Sequence, residues 1–96
     1  SELSYGFFYH QAPSLYLSLY CDAKNEHYNK LDQLRPLNRE LKDEDYGFGK
    51  SIYFEMDLSQ HLNNPNCFST CSEWLLVQFK RFDEILKESK LGIFNY

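Results

Sequence analysis

The chain has no long apolar run, few cysteines and no surplus of basic residues, and each shortage removes a class of protein. No stretch approaches the ~20 consecutive apolar residues of a membrane-spanning helix, and the N-terminus carries no signal-peptide pattern. No membrane association is therefore expected. Three cysteines in 96 residues, Cys21, Cys67 and Cys71, are too few and odd in number for a disulfide scaffold. A reducing, cytoplasmic setting is the expectation. Ten lysines and arginines against fourteen acids leave a formal net charge of −4. The basic footprint that tight binding to a phosphate backbone needs is missing, which disfavours direct nucleic-acid binding but not a basic protein partner. There is no internal repeat, no low-complexity segment and no sign of a second domain, so residues 1–96 read as a single domain.

Aromatic residues are what the chain has in plenty. Eight Phe, eight Tyr and one Trp make up 18% of it. Large rings bury much area per residue, so a small domain can still build a core.

Ser4–Tyr9 is short and aromatic and reads as a strand. His10–Ser14, with Pro13, reads as a turn. In Leu15–Cys21, Leu15, Leu17 and Leu19 alternate with Tyr16, Ser18 and Tyr20, which completes an antiparallel hairpin. Asp22–Asn25 supplies capping residues for a helix on which Tyr28, Leu31 and Leu34 share a face. Pro36 should end or kink it, and Leu37–Leu41 continues as a second short helical piece. Lys42–Gly49, charged and with two glycines, reads as a loop. Lys50–Leu58 is the clearest strand: Ile52, Phe54, Met56 and Leu58 face one side, and Ser51, Tyr53, Glu55 and Asp57 the other. Gln60–Ser69 reads as a connecting loop.

The last helix is the most legible element. Thr70 and Glu73 have the spacing of a capping box. Leu75, Phe79, Phe82, Ile85 and Leu86 then recur at helical spacing, opposite a charged side. The expectation is that Phe79 and Phe82 pack on the sheet face carrying Ile52, Phe54 and Met56. Gly92 follows as a stop. The whole predicts an α+β domain: a small antiparallel sheet, element order β-β-α-β-α, with both helices packed on one face.

Motifs with chemical potential each have an ordinary reading that fits better. Cys67 and Cys71 form C-x3-C, with His61 nearby in sequence, but a structural zinc needs a fourth ligand, to be found only among distant residues such as Cys21, His10 or His27. A Cys–His catalytic pair lacks a placed histidine. Asp22-Ala23-Lys24 at a strand end matches part of a metal-dependent nuclease centre. The preceding strand, read as Ser4–Tyr9, has no carboxylate and the only acid upstream is Glu2; Glu40-Leu41-Lys42 and Glu88-Ser89-Lys90 show how readily such triplets occur. Gly47-Phe48-Gly49-Lys50-Ser51 lacks the spacing of a phosphate loop and precedes a strand instead of a helix. No catalytic residue, metal site or cofactor is therefore expected.

Binding is the better prospect. The alternation of the two strands puts Tyr16, Tyr20, Tyr53, Glu55 and Asp57 on the solvated sheet face. Tyrosine supplies contact area and a hydrogen bond at low entropic cost. The acids Asp43-Glu44-Asp45 could add to an acidic surface that imitates DNA phosphates.

The LYLSLY strand, the YNKLDQL helix, the KSIYFEMDL strand and the EWLLVQFKRFDEIL helix together resemble a small α+β domain of unknown function at the C-terminus of bacterial proteins linked to restriction and defence nucleases. The likeness covers most of the chain. It implies an accessory domain whose nuclease centre lies elsewhere, and it brings no catalytic residue with it. The expected function is thus a small non-catalytic binding or regulatory module with a protein partner, accessory to a nuclease or defence system. The alternatives are a stand-alone acidic inhibitor of a nucleic-acid-binding protein, of the kind phages encode, and a small hydrolase or nuclease.

Overall fold

A computed structural model describes residues 13–92 in full and residues 2–9 through their backbone. The alternating segments form antiparallel strands: β1 (Glu2–Tyr9), β2 (Pro13–Asp22), β3 (Lys42–Asp45) and β4 (Gly49–Asp57). Their order across the sheet is β1-β2-β4-β3. β1 and β2 form the expected hairpin, from Glu2 opposite Tyr20 to Tyr9 opposite Pro13, but β1 begins at Glu2 and not Ser4, so the strand preceding β2 does include an acid. Of the expected His10–Ser14 turn, residues 10–12 lie outside the described residues, and Pro13 and Ser14 already belong to β2.

The pairs Leu15–Met56, Leu17–Phe54 and Leu19–Ile52 set the apolar residues of the two central strands on one face. Against it packs α1 (Cys67–Ser89). Phe82 is fully buried, and its ring meets Phe54 edge to face with centroids 5.0 Å apart. One buried cluster joins Leu17, Leu19, Ile52 and Phe54 to Leu31, Leu34, Phe82, Ile85 and Leu86; a smaller one holds Leu15, Leu58 and Cys71. The domain is α+β, as its periodicities require.

Four local expectations are corrected. The segment after β2 is not an α-helix but two 3₁₀ pieces, Tyr28–Gln33 and Arg35–Leu37. Asp22 and Asn25 do not cap a helix. Their carboxylate and amide oxygens accept from the N–H groups of Lys24 (2.9 Å) and His27 (2.8 Å), two residues on, and close turns instead. Pro36 then prevents a longer run from forming. Second, part of the expected loop over Lys42–Gly49 is the strand β3, which turns into β4 through Gly47 at φ 85°.

Third, the Thr70–Glu73 capping box is absent. The helix starts at Cys67 behind Asn66, and the Thr70 N–H is already donated to the Asn66 carbonyl at 2.9 Å. Fourth, Phe79 remains 38% exposed, while Gln78 is buried with Cys71, Phe82, Ile85 and Leu86. The buried stripe runs 71-78-82-85, and Phe79 sits one residue, about 100°, around the helix from its centre. Lys90, in the left-handed region at φ 55°, ends α1 just before Gly92, which is itself at φ 78°. Residues 93–96 lie outside the described residues. Among the described residues, no helix is long and apolar enough to cross a membrane.

Candidate functional site

The register places Ser14 opposite Asp57, Tyr16 opposite Glu55, Ser18 opposite Tyr53 and Tyr20 opposite Ser51. On the far side of β4, Lys42 lies opposite Tyr53 and Glu44 opposite Ser51. Side chains alternate between faces, so Tyr16, Tyr20, Tyr53, Glu55 and Asp57 all fall on the face away from α1. Ser14, Ser18 and Ser51 are buried on that face although α1 is on the other side. Short side chains between long ones are covered by them, and the half-buried tyrosines do this here.

The acids of this surface, Glu55 and Asp57, are occupied, and so are Asp43 and Asp45, which alternate onto the helical side of β3. Glu55 accepts from the Lys42 ammonium at 2.8 Å and from the Ser14 hydroxyl at 3.2 Å. That pairing holds the Lys42 amine above its usual range, because the charged form is the bonded one. Asp57 accepts from the hydroxyl and the backbone N–H of Ser59, which hold its carboxyl below the ordinary value and close the turn after β4. Asp43 pairs with Arg35 at 3.0 Å. Asp45 accepts from the Gly47 N–H at 2.9 Å and from the Tyr28 hydroxyl at 3.1 Å, and its carboxyl is held down in the same way. Burial first, then the Glu55 and Glu44 carboxylates, push the Tyr53 phenol up, so it stays protonated and able to donate.

The rings cluster at the β3–β4 corner. Tyr20 and Tyr46 lie 6.4 Å apart between centroids, and Tyr46 stacks on Phe48 at 5.7 Å, nearly parallel. Phe48 is 67% exposed and Tyr46 is exposed beside it. Tyr46 and Phe48 escaped the sequence reading because the charges and glycines of residues 42–49 read as a loop. A short Gly-containing connection before a strongly alternating strand was the available signal for a hairpin.

The chemical motifs are absorbed by turns and packing. Asp22 and Lys24 lie exposed in the turn that Asp22 caps. In Gly47–Ser51, the lysine turns away from the glycines: Lys50 pairs with Asp32 at 2.9 Å, and its ammonium stands 4.4 Å from the Tyr28 ring centre. Cys67 and Cys71, one helical turn apart, are in hydrogen-bonding contact. Burial, with Cys67 beside it, pushes the Cys71 thiol up. None of the three cysteines is in a disulfide, and Cys21 belongs to the main core cluster, apart from the other two. Among the described residues, no three His, Cys, Asp or Glu side chains gather where they could hold a metal ion. No protein-family model, no curated protein and no solved structure matches the chain.

Proposed function

We propose that this chain is a small binding or regulatory module, without catalysis of its own, that docks a protein partner on its open sheet face. The reading takes both helical layers to cover one side of the sheet, leaving the other free. The observation that carries it is the corner formed by Tyr20, Tyr46 and Phe48, where a large apolar ring is held mostly exposed by stacking on a second ring. An ordered aromatic surface costs little entropy to bury, and such residues commonly anchor interfaces. Tyr16 and Tyr53 extend the surface across β2 and β4.

The acid network supports docking over charge mimicry. A phosphate mimic needs carboxylates free to meet a basic partner, whereas the open-face acids Glu44, Glu55 and Asp57 accept from Tyr46, Lys42 and Ser59 within the domain. The resemblance to an accessory domain of bacterial defence nucleases fits the same role, in the cytoplasm of a bacterium or encoded by a phage. Enzymatic readings have no support from the turn-bound Asp22 and Lys24.

Affinity capture of a partner from the encoding organism tests the proposal, with Tyr46→Ala/Phe48→Ala compared against Glu44→Gln/Glu55→Gln across a salt series. Loss of the partner in the aromatic pair, with little salt dependence, is expected. An intact aromatic pair variant, with binding abolished by the acid changes or by salt, would replace docking with the acidic-inhibitor reading.

A further inference from the structure

The outer edge of β4 is only half used. β2 pairs with β4 from Gly49 to Asp57, but β3 reaches only from Lys50 to Tyr53. The direction of each backbone group follows from its neighbours. Leu58 donates to Pro13 on the β2 side, and the Gly49 carbonyl accepts from Tyr46 on the β3 side. Backbone groups alternate in direction along a strand. The N–H and C=O of Glu55 and Asp57 therefore point to the β3 side, past the end of β3, where no strand among the described residues meets them.

A groove of about 570 Å³ lies against the near end of this stretch, at Phe54 and Glu55, between the chain entering β3 and α1. Its walls include Trp74 and the buried Gln78, whose amide oxygen accepts from Arg81 at 3.2 Å. Arg35, Arg39, Lys42 and Arg81 line it against Glu40 and Glu55. Four cations against two acids leave the lining positive in a chain whose net charge is −4, but three are already paired, Arg81 with Glu40, Lys42 with Glu55 and Arg35 with Asp43. Arg39 makes no ion pair among the described residues.

We infer that this edge and groove take an extended acidic peptide of a partner protein as an added strand beside Phe54–Asp57. The outward backbone groups of Glu55 and Asp57 supply the ladder, as in other strand-addition complexes, and alternate side chains of the peptide enter the groove. A carboxylate there meets Arg39, and an apolar residue meets Trp74. The surface differs from the aromatic corner, and the inference stands whether or not that corner docks a partner.

The test uses random decapeptides displayed on phage and selected against the full chain, then hydrogen exchange with a synthetic copy of an enriched sequence. Enriched peptides should carry carboxylates at alternate positions and slow the exchange of the Glu55 and Asp57 amides. Methylating alternate peptide nitrogens, or Arg39→Glu, should each weaken binding at least about tenfold. Lys24→Glu makes the same charge change elsewhere and should leave binding unchanged. Selection without acidic enrichment, or acidic peptides that leave both amides unprotected, would overturn the inference. So would amides already protected in the free chain in a concentration-dependent way, which would assign the edge to a second copy.

Discussion

Tyr20 occupies the space that a side chain on Gly49 would need: a Cβ there would stand 2.2 Å from the Tyr20 hydroxyl oxygen. Gly49 is thus required for close approach, and it sets where the aromatic corner sits. Gly49→Ala should push the Tyr20 ring aside. The stability cost should be about 1–3 kcal/mol, toward the lower end because the ring can swing outward. Tyr20 ring resonances and the urea midpoint check this. Unchanged resonances in the alanine variant would remove the close approach.

Phe82 and Phe79 should separate cleanly in unfolding experiments. Phe82→Ala empties the site against Phe54 and should cost about 3–5 kcal/mol. Phe79→Ala removes a side chain that is already 38% exposed and should cost about 1 kcal/mol or less. Equal losses in urea denaturation would contradict the observed rotation of α1.

Stability should fall at both ends of the pH scale, for different groups. The Lys50 amine is held above its usual range, first by its hydrogen bond to Asp32. A raised amine contributes stability that is fully present below its unfolded pKa and lost as pH rises through the folded one, so the loss begins above about pH 10. The depressed carboxyls of Asp45 and Asp57 act in the opposite sense. Their stabilisation is present above the unfolded carboxylate pKa of about 4 and is lost as pH falls through the folded values. Urea midpoints against pH should show an acid limb that shrinks in Asp57→Asn and an alkaline limb that moves down in Asp32→Asn.

The thiols should differ in reactivity. Cys21 and Cys71 are buried and Cys67 only partly so. Native protein should therefore release one equivalent quickly with a thiol reagent and the rest only on unfolding. Chelators should leave the melting temperature unchanged. Stoichiometric zinc, with loss of structure in EDTA, would make Cys67 and Cys71 ligands after all.

Legibility in the sequence followed the strength of the local signal. β2, β4 and α1 announce themselves because their apolar residues repeat at the period of the element, and the shared face of Tyr16, Tyr20, Tyr53, Glu55 and Asp57 follows from that period alone. The 3₁₀ segments were hidden because Asp22 and Asn25 suit helix caps and turns equally well, and only the tertiary anchors decide. Those anchors are Leu31 and Leu34 in the core and Lys50 on Asp32. β3 was hidden because its four residues, all charged and exposed, carry no apolar alternation. Charges of that kind suit an edge strand. Tyr46 and Phe48 were lost with it, and so was the half-paired edge of β4, which exists only because β3 is short.

Chemical-shift mapping of the isotope-labelled chain with its captured partner tests the central claim most directly. The account predicts the largest perturbations at Tyr20, Tyr46, Phe48 and Tyr53. Perturbations confined to α1, or absent from the sheet face, would contradict it.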